Sequence, residues 1–364
     1  MKYSLDNICT FGKDKINVSS LTLENYISTE NMLPNKAGVT VASTLPTVTQ
    51  TLRYAKGDVL VSNIRPYFKK IWFADKDGGC SNDVLVFKSK ENIDKRYLYY
   101  VLANDEFFNY SMATSKGTKM PRGDKISIMA YEIEEFDIET QQKIGSLLSS
   151  IDEKIALNEQ INKNLMEQAS VLYKAWFEDF ILFNGLCPPM WKQGVLADIA
   201  NITSGKRPPV KSAVKTDTAV IPIVGAASVM GYTSEANHTD KILVTGRVGT
   251  HGVVQRFESP CWTSDNTLVI TSDVYEYTYQ ILQRIDYHSM NRGSTQPLIT
   301  QGDMNKVSVL IPDQETLNEY ETLVGQLMKQ YQANILENNK LSEMRDTLLP
   351  RLMSGELDVS GIDF

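Results

Sequence analysis

The chain has 364 residues, 42% of them apolar and 22% charged, and a net charge of −7. That length exceeds one ordinary core and fits two globular units of about 130 residues each, and the apolar fraction excludes a disordered chain. No run approaches the roughly 18 apolar residues that a bilayer-spanning helix needs, so no membrane association is expected. The opening MKYSLDNICTFGKDK lacks a signal-peptide core, which makes the cytoplasm the expected location. Cys9, Cys80, Cys187 and Cys261 stand far apart with no C-x-x-C pair, the pattern of buried reduced thiols.

In chain order, residues 1–136 read as a first globular unit. Within it, DVLVSNIRP (residues 58–66) and CSNDVLVF (residues 80–87) combine short apolar strands with polar loops. Acid then gathers at Glu132, Glu134, Glu135, Asp137 and Glu139, where it suits the positive end of a helix dipole. A long helix is predicted over residues 137–184. Its positions Ile144, Leu148, Ile151, Ile155, Asn158, Asn162, Leu165, Ala169, Leu172 and Trp176 alternate steps of four and three, a heptad seam. Asp137 is its expected N-cap and Gly185 its stop.

Residues 185–312 read as a second globular unit built on the plan of the first. KILVTGRVG (residues 241–249) and TSDNTLVI (residues 263–270) match the two earlier strands at an offset of 183. NRGSTQP (residues 291–297) matches SKGTKMP (residues 115–121) at an offset of 176. A second long helix over residues 313–354 repeats the seam with Tyr320, Val324, Leu327, Tyr331, Asn334, Asn338, Leu341, Arg345, Leu348 and Leu352, and residues 355–364 form a tail. Residues 137–172 set on residues 313–348 need no gap and share nine identities. Asp313 is the second N-cap, Gly355 the second stop, and Pro350, which has no N–H to donate, should end or kink the helix.

A helix of about 38 residues rises roughly 57 Å, far more than a small domain needs, so it serves as a spacer. Two seams of this kind bury each other. An antiparallel pairing sets Asn158 near Asn338 and Asn162 near Asn334, and buried amides penalise a slipped register because a slip leaves them unpaired.

Net charge argues against a nucleic-acid partner until its distribution is considered. Positive residues gather in loops of the globular units: Arg65, Lys69 and Lys70, then Lys116, Lys119, Arg122 and Lys125, then Lys206, Arg207, Lys211 and Lys215. Catalytic constellations are missing. There is no G-x-x-x-x-G-K-[ST] loop, no G-x-G-x-x-G, no H-E-x-x-H and no G-x-S-x-G. His238, His251 and His288 fit no metal-ligand spacing. No catalytic residue and no metal site is predicted.

Three segments carry a family resemblance: LLSSIDEKIALNEQINKNLMEQASVLYKAWFEDF (residues 147–180), RGSTQP (residues 292–297) and LLPRLMSGELDV (residues 348–359). Together they closely resemble the specificity subunit of type I restriction-modification systems, and the resemblance covers essentially the whole chain. The first copy departs in carrying GTKMP for GSTQP and Glu135-Phe136 for Ile311-Pro312. The resemblance implies an α+β fold. Two similar target-recognition domains of mixed β-sheet with short helices would be separated by an antiparallel coiled coil of two long helices, with pseudo-two-fold symmetry. Each domain would read one half of a split sequence in double-stranded DNA. The helices would set the spacer and dock two methyltransferase subunits, with restriction subunits added, S-adenosylmethionine, ATP and magnesium would belong to those partners, and the chain would not itself be an enzyme.

Arg matches guanine edges and phosphate, and Gln matches adenine. On that chemistry the candidate DNA contacts are Asn63, Arg65, Tyr67, Lys69, Lys116, Lys119 and Arg122 in the first unit, with Lys70 and Lys125 in phosphate range. In the second unit they are Lys206, Arg207, Lys211, Arg247, His251, Arg292 and Gln296. The competing expectation for any one loop Lys is a solvated charge. Two other functions fit the same text: a standalone DNA-binding protein, and a coiled-coil interaction scaffold that binds no DNA.

Overall fold

The computed structural model describes residues 2–290 and 298–361. Two compact units emerge, one made of the chain up to Asn158 together with the part from Ile335 onward, the other of Glu159–Asn334. Each unit combines β-sheet, a short helix and parts of both long helices.

In the first unit an antiparallel sheet runs in the order Cys9–Phe11, Val84–Ser89, Val59–Ser62, Ile71–Phe73. Its central strands carry continuous apolar runs, Val59–Val61 and Val84–Phe87, because both faces are covered there. Val59, Val61, Leu85 and Phe87 face a core shared with the helix Lys95–Ala103 and the long helices. Leu60, Val84 and Val86 face a second core against Tyr54, Trp72 and Cys80. That second core is backed by a mixed sheet in the order Lys15–Asn17, Gln50–Tyr54, Gly78–Cys80, Tyr26–Ile27, the last pair parallel.

The second unit repeats this plan. Asn201–Ser204, Thr267–Thr271, Ile242–Gly246 and Gln255–Phe257 form the antiparallel sheet. Val229–Thr233, Ile221–Val224 and Trp262–Thr263 form a smaller mixed sheet whose last pair is again parallel. The helix Tyr275–Arg284 packs on one side, and a cluster of Tyr173, Phe177, Trp191, Tyr277 and Tyr320 joins it to the long helices.

The long helices span Ile138–Tyr173 and Gln314–Met353, and they run antiparallel within each unit. In the first unit Asn158 Nδ2 donates to Asn338 Oδ1 at 2.8 Å, and Arg345 pairs with Asp152 at 2.8 Å. In the second, Asn334 Nδ2 donates to Asn162 Oδ1 at 2.8 Å and the Tyr320 hydroxyl donates to the Ala169 carbonyl. Every position of both predicted seams is buried or half-buried. Asp137 and Asp313 cap their helices, accepting from Thr140 N at 2.7 Å and Thr316 N at 3.0 Å, and these backbone bonds hold both carboxyls below the usual range.

Two local expectations are corrected. The first long helix passes at Lys174–Glu178 into a π turn and the chain turns left-handed at Phe180, five residues before Gly185. Pro350 lies in the last turn of the second long helix, which ends nearby at Met353, as expected. One lost backbone bond is outweighed there by burial of Leu349 and Leu352 in the first unit's core. Cys187 is exposed, unlike Cys9, Cys80 and Cys261, because it sits in the loop after the first long helix rather than on a strand. Burial pushes the Cys80 thiol up to about 12 and the Cys261 thiol up to about 11.

Candidate nucleic-acid interface

In the first unit the strand Val59–Ser62 leads into a loop that is stitched by its backbone to the segment 116–123. Asn63 N donates to the Asp83 carbonyl at 2.8 Å, Gly123 N to the Asn63 carbonyl at 3.1 Å, and Arg65 N to the Pro121 carbonyl at 2.8 Å. Lys116 and Arg122 exchange two backbone bonds across their own turn, at 2.9 and 3.0 Å. All seven first-unit candidates therefore stand on two adjoining loops.

Their side chains differ in freedom. Lys69 shares Asp105 with Lys36, each at 2.7 Å; burial raises the Asp105 carboxyl, but the two ammonium groups bring it below the usual range. Lys116 reaches Asp124 at 3.3 Å, and the Ser127 hydroxyl together with Lys116 lowers that carboxyl. Arg122 reaches Asp83 at 3.1 Å. Arg65 and Lys119 are exposed and form no ion pair among the described residues. Exposed pairs such as those of Lys116 and Arg122 are worth only about 0–1 kcal/mol, so phosphate can displace their carboxylates, whereas Lys69 is half-buried in its pair and Arg65 and Lys119 need no exchange at all. Asn63 turns its side-chain oxygen inward, where it is buried without a hydrogen-bond partner. Lys70 donates to the Thr29 carbonyl at 2.6 Å and burial lowers its pKa, while Lys125 lies over the Phe11 ring.

In the second unit Lys206 and Arg247 attach to the same turn. Lys206 N donates to the Thr263 carbonyl at 2.9 Å and Arg247 N to the Asn266 carbonyl at 2.8 Å, while the Trp262 indole donates to the Lys206 carbonyl at 2.8 Å. Arg207 follows on the exposed side. Lys211 belongs elsewhere: it precedes Ser212, which pairs with Tyr232 at the edge of the smaller sheet. His251 braces its own loop, with Nδ1 at 3.1 Å from the Gly246 carbonyl and Nε2 buried without a partner among the described residues. Gly246 is required there, because a Cβ would collide with the Thr250 carbonyl oxygen. Arg292 and Gln296 lie outside the described residues.

The backbone bonds also correct the repeat by one residue. Asn63 and Arg247 hold the same place: each donates into the turn before the next central strand, and each carbonyl accepts from the far segment, from Gly123 N and Ile299 N. The strand before this loop is therefore offset by 184 rather than 183, a slip that low identity hides and ladder pairing reveals. Sequence reasoning missed Phe68, exposed beside Tyr67, although its aromatic neighbour and the preceding Pro66 were visible signals.

A family profile described as "Type I restriction modification DNA specificity domain" matches residues 2–167 and again residues 188–344. The chain belongs to that family. Each match takes in one globular unit's strands and much of the long helix that follows, so the repeat is this specificity domain occurring twice. The chain is 23% identical to the type I restriction enzyme HindI specificity subunit of Haemophilus influenzae over 98% of its own length and 99% of the relative's. It is 25% identical to the MjaIX specificity subunit of Methanocaldococcus jannaschii over 74% of its length and 71% of that protein's. The crystal structure of a type I restriction-modification S subunit from M. genitalium matches its fold with a TM-score of 0.63 at 17% identity, covering 99% of this chain and 96% of that one. The specificity-subunit fold is therefore α+β, with two sheet-rich domains, each followed in the chain by a long helix. Among the described residues no helix is long and apolar enough to cross a membrane, and no group of three or more His, Cys, Asp or Glu is placed to hold a metal.

Proposed function

We propose that this specificity subunit reads a bipartite sequence in double-stranded DNA, one half with each globular unit, and that its paired helices fix the spacing and dock two methyltransferase subunits. The observation that carries this is the equivalence of Asn63 and Arg247. One framework positions both loops with the same backbone bonds, yet the residues differ, as two readers of different half-sites require. The buried Asn ladder supports the role of the helices, because amides paired across the seam set one register and so one separation of half-sites. On this reading the chain is not itself catalytic. Adenine methylation would be done by the methyltransferase subunits carrying S-adenosylmethionine, and ATP-driven cleavage would need restriction subunits.

Methylome sequencing of a host expressing the chain with its partners, compared with a deletion of this chain alone, should show methylation at one bipartite motif that vanishes in the deletion. Replacing Arg247 or Arg65 by Ala should weaken specific binding by about 1–3 kcal/mol if the side chain touches a base. An unchanged motif and unchanged affinity remove that residue from the interface. Duplex binding insensitive to salt would favour the scaffold reading instead.

A further inference from the structure

The loop after strand Val59–Ser62 ends in two adjacent exposed rings. Tyr67 is 49% and Phe68 37% exposed, and their ring centroids lie 4.6 Å apart. Apolar side chains scattered singly over a surface need no explanation, but two side by side on one loop tip invite a partner. The backbone holds this tip outward. Arg65 and Lys69, which bracket the turn Pro66–Phe68, are left-handed at φ 51° and 50°, and so are Asn35 and Lys36 in the neighbouring loop, at 56° and 63°. None of the four is glycine, so each conformation is strained and persists only because its surroundings impose it. Those surroundings are visible: Asn35 N donates to the Phe68 carbonyl at 2.8 Å, Lys36 N to the Lys69 carbonyl at 2.9 Å, and both lysines close on Asp105. Pro66 is buried beneath the turn. The second unit is built differently at this place, with Gly249 and Gly252 supplying the positive φ around Thr250 and His251, no Phe, Tyr or Trp between them, and the His251 ring held against its own loop at the Gly246 carbonyl.

We infer that Tyr67 and Phe68 form a stacking wedge that lies against an unstacked base step in the half-site read by the first unit. This rests on the reading proposed above. An aromatic face stacks on any base, so the contact offsets the cost of opening the step without specifying it. Because the loop is already fixed, little ordering is lost on binding. Arg65, exposed beside the rings and in no ion pair among the described residues, supplies a cation for the flanking phosphates. The second unit lacks the rings, so its half-site is not opened by this device.

The test uses the chain purified with its partner subunits and a duplex carrying the motif defined by methylome sequencing, with 2-aminopurine placed at successive positions of each half-site. Binding of the unaltered complex should raise fluorescence at one step of the first half-site. Tyr67→Ala with Phe68→Ala should abolish that rise, weaken binding on the order of 10-fold, and leave the second half-site signal unchanged. Tyr67→Trp should retain the rise. Both residues are exposed, and an unshifted thermal midpoint confirms that the variants fold. If the double variant keeps the rise, or loses the signals of both half-sites alike, the wedge is overturned while the DNA-reading role stands. If the unaltered complex binds no duplex with sequence preference, the underlying reading fails and the wedge with it.

Discussion

The two units solve one structural problem with different residues. The Tyr97 and Tyr277 hydroxyls donate to the Glu134 and Leu310 carbonyls, which marks the helices Lys95–Ala103 and Tyr275–Arg284 as equivalent. In the first unit the helix is capped locally, Asp94 accepting from Tyr97 N at 2.8 Å. The long helix opposes it with Gly145, where a Cβ would lie 2.8 Å from Asp94 Oδ1 and 3.1 Å from Tyr97 N. In the second unit the cap position is Val274, which has nothing to offer, and the acceptor comes from the long helix instead. Glu321, the repeat partner of Gly145, accepts from Glu276 N at 3.0 Å and Tyr277 N at 2.8 Å. A similar exchange occurs on the neighbouring strand. Phe73 meets the Tyr99 ring edge-on, whereas Arg256 lies over Tyr279 and grips Glu276 with two bonds of 2.6 and 2.7 Å. Duplication has kept the demand for satisfied helix donors and a filled space above the tyrosine, and has left open which residue meets it.

That contrast can be broken at its strongest point by Arg256→Ala. Arg256 and Glu276 are 6% and 5% exposed, so the variant strands a buried carboxylate and should cost the second unit about 3–5 kcal/mol, read by hydrogen exchange of the helix Tyr275–Arg284. A loss below about 1 kcal/mol would show that stacking of the tyrosines, and not the ion pair, holds this corner. Giving the first unit the second unit's residue, Gly145→Glu, should cost about 3 kcal/mol, because the new side chain meets Asp94 and crowds the helix start. Tolerance of this change would mean that the two caps are interchangeable. Asp94→Ala should cost about 1 kcal/mol of first-unit stability, since Gly145 offers no substitute acceptor.

The last test is one of pH. Burial raises the Glu321 carboxyl to about 7 against the lowering effect of its two backbone donors. Its folded value thus lies above the ordinary 4.5, so the folded unit binds more protons between those limits, and its stability should fall as pH rises from about 4.5 to 7. Glu321→Gln should flatten the denaturation midpoint across that window, while the first unit, with glycine at this place, shows no such slope from it. A slope that survives the substitution would assign the titration to another group.

Much of this architecture could be read from residue order, since heptad spacing exposes a seam and short apolar runs between polar loops expose the central strands. The family resemblance was legible for the same reason: the long helices carry their pattern in contiguous residues. The candidate interface was legible only as a set of loops. Lys69, Lys116 and Arg122 look alike in the sequence to Arg65 and Lys119, but the first three close on Asp105, Asp124 and Asp83. Asp105 and Asp83 lie 36 and 39 positions away along the chain, and no local pattern brings them in.

Residue order alone therefore determined what depends on periodicity and near neighbours: the duplicated plan, the seam with its asparagines, and the helix caps at Asp137 and Asp313. Helical and strand periods dictate side-chain direction without reference to the rest of the chain. Tertiary structure decided the one-residue slip that equates Asn63 with Arg247, the inward turn of His251, the source of each helix cap, and which loop cations remain free. Those outcomes depend on backbone pairing and charge neighbours from distant segments, which only the folded chain assembles.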